Sequence, residues 1–239
     1  MIHIGNFTDT KNYILWKMRQ RGRLLWNRRP LFSGKGRTMK HQIITIGCEY
    51  GAKGNAIGKK VAEMLGIKFY DRDLVDSIID EVGVPRDIME KVESGVVIAG
   101  KGKEGEERGN FSKYADLTAR AIHVQKQIIR KLAEKDSCVI IGRSADYILQ
   151  DRDDVLRIFV YSPNEVRLKN VMESHNLSET DARILIQEKD KRYHMRHKTL
   201  TGSNRGDRHN RDMLIDSSRL GVDGTAEFIV QLAKKVFQE

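Results

Sequence analysis

The residues whose spacing suits chemistry begin at Gly47. In the segment 43–65, IITIGCEYGAKGNAIGKKVAEML, a short apolar run leads into Gly47, Gly51, Gly54 and Gly58, and then into apolar residues at helical spacing: Ala56, Ile57, Val61, Ala62 and Leu65. A strand, a glycine turn and a helix start make a cradle for an anion. Glycines let backbone N–H groups approach it closely, and the helix N-terminus adds its dipole. The cradle residues are Gly47, Gly51, Ala52, Lys53, Gly54 and Asn55, and the ligand they suit is a phosphate chain. The phosphate-loop pattern G-x-x-x-x-G-K-[ST] adds a lysine for the terminal phosphates and a hydroxyl for Mg²⁺. Aligned on Gly51, those two positions hold Gly54 and Ala56, so the usual lysine and hydroxyl are displaced. Lys53 or Lys59 is then expected to supply part of the charge.

Three further groups carry ionic chemistry. Gly142-Arg143-Ser144-Ala145-Asp146 follows an apolar run and offers a guanidinium and a carboxylate; arginine binds phosphate through two parallel hydrogen bonds. Tyr70-Asp71-Arg72-Asp73 places carboxylates at a helix start, with Asp73 suited to capping and Asp71 to meeting a ligand. Lys189, Arg192 and Arg196, at i, i+3 and i+7, share one helical face that suits clamping phosphoryl oxygens; Glu188 and Asp190 lie off that stripe. His194 and His197 have no carboxylate or cysteine partner at metal-ligand spacing, so they read as surface histidines and no protein-only metal site is expected.

Continuous apolar runs at 43–46, 137–141 and 155–161 alternate with helical patterns at 73–81, 114–135, 144–149, 163–174 and 178–198. Shorter strands are expected at 67–71 and 213–216, a short helix at 85–92, a Gly- and charge-rich loop at 93–113, a loop at 199–210 and a last helix at 224–237. This alternation predicts an α/β fold: a parallel sheet of about five strands in a three-layer arrangement, with helices on both faces. Ligands in such sheets bind beyond the carboxyl ends of the strands, where every group above falls.

The net charge of +10 is unevenly distributed: residues 1–40 hold ten Lys/Arg and one acid, Asp9, while the remainder holds 33 basic and 32 acidic residues. Residues 1–38 therefore read as a basic, flexible extension outside the core, with Met39 a possible start of the folded body. Its arginines and hydrophobics are the one composition here that suits nucleic acid or a membrane surface. Cys48 and Cys138 are far apart and predict reduced, buried thiols, which with the absence of a continuous apolar leader or span points to a cytoplasmic protein.

Taken in order, the motifs resemble the cytidylate kinase-like branch of the nucleoside monophosphate kinases over about residues 41–237. The stretches that carry the resemblance are ITIGCEYGAKGNAIGKKVAEMLG, FYDRDLV, IGRSADYIL, VYSPNEVRLKNV, QEKDKRYHMR and DMLIDSSRLGVDGTAEFI. The resemblance implies a P-loop NTPase-like core over residues 39–239, with a monophosphate-binding insert at about 73–115 and a helical lid at about 163–210. It implies transfer of the ATP γ-phosphoryl group, with Mg²⁺, to a pyrimidine nucleoside monophosphate such as CMP or dCMP. Asp71, Arg143 and Asp146 would hold that monophosphate, and Arg167, Arg192 and Arg196 would serve as lid or transfer arginines. Ordinary cytidylate kinases carry an arginine where this chain has Ser77. The displaced loop lysine and hydroxyl keep a second reading open, a non-catalytic nucleotide-binding or sensor protein on the same fold.

Overall fold

A computed structural model describes residues 41–81 and 122–237. These lie in one unit, Met39–Glu239. The basic extension, the helix expected at 85–92, the loop at 93–113 and most of the expected insert fall outside the described residues.

Five strands form one sheet: β1 (Ile43–Cys48), β2 (Lys68–Tyr70), β3 (Cys138–Ile141), β4 (Val155–Tyr161) and β5 (Met213–Asp216). Their order is β2-β3-β1-β4-β5 and every pairing is parallel, as the continuous apolar runs require. β1 lies at the centre, with Ile44 opposite Val139 on one side and Leu156 on the other.

The helices are α1 (Gly54–Leu65), α2 (Arg72–Glu81), α3 (residues 122–135), α4 (Ala145–Ile148), α5 (Asn164–His175), α6 (Glu179–Thr201) and α7 (Ser217–Phe237). One sheet face packs Ile44, Ile46, Val139 and Ile158 against Ile57 and Val61 of α1 and Ala226 and Ile229 of α7. The opposite face packs Ile43, Cys138, Ile140 and Val155 against Ile128, Ile129, Ala133 and Ile148. These are the three expected layers. α5 and α6 form a helical hairpin with its own small core of Leu168, Val171, Ala182 and Ile186.

Two helix ends differ from expectation by three residues or more. α6 runs to Thr201 rather than Lys198, because Gly202, at φ 75°, supplies the left-handed cap that ends it. α7 starts at Ser217 rather than Gly224; a kink at Gly221 (φ 65°, ψ −168°) separates an extra turn from the periodic helix, so the apolar period begins after it. Arg157 interrupts the apolar run of β4 yet is 2% exposed. Its guanidinium donates to the carbonyls of Val155 (2.9 Å), Leu149 (2.8 Å) and Arg152 (3.1 Å), tying α4 and the turn after it to the sheet.

Candidate active site

The loop between β1 and α1 closes with two left-handed residues, Gly51 (φ 84°) and Lys53 (φ 57°). A Cβ on Gly51 would stand 2.9 Å from the carbonyl oxygen of Arg167 and 3.1 Å from the Val171 side chain, so glycine there lets the loop lie directly on α5. Lys53 immediately precedes α1 and caps it with no side-chain bond. A bulky residue held in the left-handed region is strained, and such strain gathers where function requires a fixed geometry.

The loop's register follows from these bounds. β1 runs on to Cys48, two residues beyond the apolar run, so Gly47 is the first glycine of the pattern. Counted from Gly47, Ala52 takes the sixth place, Lys53 the lysine place and Gly54 the hydroxyl place. The alignment on Gly51 was offset, and the lysine it found missing is Lys53. The second glycine, replaced by Ala52, and the hydroxyl, replaced by Gly54, are the positions that depart from the pattern. Lys59 is exposed on α1 outside the cleft that the loop borders.

That cleft, of about 350 Å³, is lined on the loop side by Gly51, Lys53, Gly54 and Asn55, and opposite by Arg72, Asp73 and Tyr193. Tyr50 and His175 form an end wall, their rings stacked with centroids 6.2 Å apart and Tyr50 Oη 2.8 Å from His175 Nε2. Ala52 is fully buried, and its carbonyl accepts from Ser217 Oγ at 3.0 Å, anchoring the loop to α7.

Beside it lies a smaller cavity of about 40 Å³, rimmed by Arg72, Arg143, Arg196, Arg205 and Arg211. β3 ends in three consecutive left-handed residues, Gly142 (φ 66°), Arg143 (φ 53°) and Ser144 (φ 52°), which turn the chain sharply and bring Arg143 and Asp146 to this rim. Arg143 is ion-paired with Asp76 of α2, and Gln125 of α3 donates to its carbonyl at 2.9 Å. Asp146 is paired with Arg211. Arg196 donates to Gln125.

Other expectations are corrected. Asp71, not Asp73, caps α2: its Oδ1 accepts from Leu74 N at 2.8 Å, which commits that carboxylate to the helix end. Arg167 is 8% exposed and braces the loop rather than facing the cleft. It donates to the Tyr50 carbonyl (3.2 Å), pairs with Glu49 (3.4 Å) and pairs with Asp190 (2.5 Å). Arg192 lines neither cavity; its guanidinium lies 5.8 Å from the ring of Tyr193. Asp190, off the basic stripe, is the hub on α6. It accepts from Tyr50 N at 3.0 Å and pairs with Arg167 and with Arg205 (3.3 Å). Arg205 also donates to the Cys48 carbonyl.

His197 is a buried histidine, not a surface one: it is 4% exposed, with Ser144 Oγ 3.0 Å from Nδ1. Burial, with Arg211, Arg205 and His194 nearby, pushes it down to about 4 although Asp146 opposes the shift. The unfolded chain takes up this proton near pH 6.5 and the folded one only near 4. Between those values the unfolded state binds more protons, so stability falls as pH drops. The expected loss is up to about 3 kcal/mol from this group. It is measured as denaturant unfolding at pH 7, 5.5 and 4.5, with a shallower slope in His197→Gln. Cys138 is also buried, and burial together with Asp136 pushes its thiol up to about 12.

Sequence reasoning missed Arg72, Arg205, Arg211, Asp190 and Tyr193. Arg72 was visible beside Asp71. Arg205 and Arg211 sat in a segment whose only signal was Gly, Asn and Arg content. Among the described residues no three His, Cys, Asp or Glu side chains converge as a metal site, and no helix is long and apolar enough to cross a membrane.

Known proteins with similar sequences and structures agree with this architecture. The cytidylate kinase of Pyrococcus horikoshii is 24% identical over 186 residues, which cover 76% of this chain and 83% of that protein. The cytidylate kinase of Methanopyrus kandleri is 24% identical over 192 residues, covering 77% and 88%. The crystal structure of an uncharacterized protein from Eubacterium ventriosum superposes with a TM-score of 0.63 at 28% identity, covering 82% of this chain and 99% of that one. The family model for cytidylate kinase-like proteins matches residues 43–219, a span that takes in the lysine-bearing loop and all five rim arginines: the chain belongs to the cytidylate kinase-like family.

Proposed function

We propose that this protein transfers the γ-phosphoryl group of ATP to a pyrimidine nucleoside monophosphate of the CMP or dCMP kind, releasing ADP and the nucleoside diphosphate. The observation that carries the reading is the adjacency of two anion sites. A phosphate loop with its lysine borders one cavity, an arginine rim borders the next, and both lie at the carboxyl ends of β1, β2 and β3. The pyrimidine acceptor is suggested by the names of the relatives.

Phosphoryl transfer asks the protein for positioning and charge neutralisation more than for covalent chemistry. Backbone N–H groups of Gly51–Gly54 and the Lys53 ammonium would hold the donor phosphates. Arg143, preorganised by its turn and by Asp76, would hold the acceptor's phosphate. Mg²⁺ is commonly bound through one or two carboxylates plus substrate phosphates, so a site without a protein-only cage fits it. Asp73, on the cleft wall, is the carboxylate that would face it, since Glu49 is engaged by Arg167 and by Ser162 N. When bound, the ion supplies charge neutralisation on the phosphates. Gly54 in the hydroxyl place favours the second reading, a nucleotide sensor without turnover.

Purified protein with ATP and Mg²⁺, screened against a panel of nucleoside monophosphates, should release ADP fastest with a pyrimidine acceptor. With that acceptor, Arg143→Ala should raise KM about 10- to 100-fold, the loss of charge-assisted hydrogen bonds in the ground state. Arg192 reaches neither cavity where α6 now stands, so it contributes only if α6 moves. Arg192→Ala then lowers kcat and kcat/KM together, and Arg192→Lys restores part. Nucleotide binding without turnover of any acceptor would favour the sensor.

A further inference from the structure

Among the residues bordering the loop cleft and the arginine cavity, only Arg72 and Tyr193 line both. Arg72 opens α2 at the carboxyl end of β2. Its guanidinium lies over the Tyr193 ring, 4.1 Å from the centroid, and its Nη2 stands 3.8 Å from Cys48 Sγ at the start of the loop. On the third side is Gly142, where a Cβ would come within 3.0 Å of Arg72 Nε. The guanidinium is therefore held between the phosphate loop, the end of β3 and helix α6, at the junction of the two cavities.

We propose that Arg72 is a catalytic residue, the one that contacts the phosphoryl group as it passes between the two sites; this rests on the kinase reading above. In the transfer, an oxygen of the acceptor's phosphate forms the new P–O bond while the bond from the γ-phosphorus to the ADP oxygen breaks, and ADP leaves with that electron pair. No other reactant is required. Of the five rim arginines only Arg72 also borders the loop cleft, so it is the one that can meet the phosphoryl oxygens between the two cavities. A planar guanidinium at the junction offers them N–H donors along its edges, and charge there stabilises the transition state more than either ground state. Tyr193 holds Arg72 from α6, so the position of that helix sets whether the guanidinium is in place. Tyr193 is a positioning residue.

The test compares Arg72→Gln, Arg72→Lys and Tyr193→Leu with wild type by steady-state kinetics and by calorimetry, using ATP, CMP and a cytidine–adenosine polyphosphate that spans both cavities. Arg72→Gln should lower kcat about 100-fold or more, with acceptor KM and ATP affinity changed less than about threefold, and should weaken the spanning ligand about 100-fold. Arg72→Lys should restore only part, because the ammonium lacks the planar fork. Tyr193→Leu should lower kcat less than Arg72→Gln, and the two changes together should cost no more than Arg72→Gln alone. A raised acceptor KM with unchanged kcat would make Arg72 an acceptor-binding group and overturn the inference. Equal binding of the spanning ligand by wild type and Arg72→Gln would also overturn it. Failure of wild type to bind that ligand at all would instead overturn the kinase reading beneath it.

Discussion

Lys53→Gly should abolish most phosphoryl transfer while leaving the fold as stable as wild type or more so. Lys53 sits at φ 57°, a region that costs an ordinary residue about 1–2 kcal/mol and glycine little. Glycine there relieves the backbone and removes an exposed side chain whose one charged group is the ammonium. If the ammonium neutralises donor phosphates, kcat/KM should fall about 10²–10³-fold, as when one preorganised donor to a transition-state oxygen is lost. ATP binding should weaken by about 1–3 kcal/mol. Lys53→Ala should lose the same activity but melt like wild type, since alanine keeps the strain that the lysine already carries. Lys59→Ala, outside the cleft, should change neither. Calorimetric ATP titration and thermal melts of the three variants check this. Undiminished ATP affinity in Lys53→Gly would mean that backbone N–H groups and arginines hold the phosphates alone.

Asp190→Ala should cause the largest loss of stability. Asp190 faces Arg167 and Arg205, whose side chains are 9% and 13% exposed, and it accepts the Tyr50 N–H. Removing one partner of a buried ion pair commonly costs about 3–5 kcal/mol because the other charge stays buried. The Asp190 carboxylate is 27% exposed, and solvent screening lowers the expected loss to about 2–4 kcal/mol. Asp190→Asn keeps an acceptor for Tyr50 N and should recover part of it. Urea unfolding measures the difference. A loss below about 0.5 kcal/mol would show that Arg167 and Arg205 find other partners and that α6 does not secure the loop.

The sheet was legible because its central strands are short apolar runs buried on both faces; Val155–Tyr161 matches expectation to the residue, as does the less buried edge strand Met213–Asp216. Helix boundaries were legible where a cap marks them, as at Ser178, whose Oγ accepts from Asp181 N at 3.2 Å. The cradle and the Arg143 turn were legible because glycine and charge at strand ends are local signals. The loop register was not, because Gly51 looks like the pattern's anchor until β1 is seen to extend through Gly47. Asp190 and His197 were misread for one reason. On a long polar helix, spacing tells which residues share a face but not which face is covered, and here the loop and the β3 turn cover what reads as solvent. The arginine rim joins residues 72, 143, 196, 205 and 211 from four separate segments, a proximity that only the closed fold creates.

Transfer itself is observed most directly by mass spectrometry of the products formed from ATP and CMP with Mg²⁺ and wild-type protein. The account predicts a pyrimidine nucleoside diphosphate in a one-to-one ratio with ADP. ADP accompanied by inorganic phosphate, with the monophosphate unchanged, would contradict it.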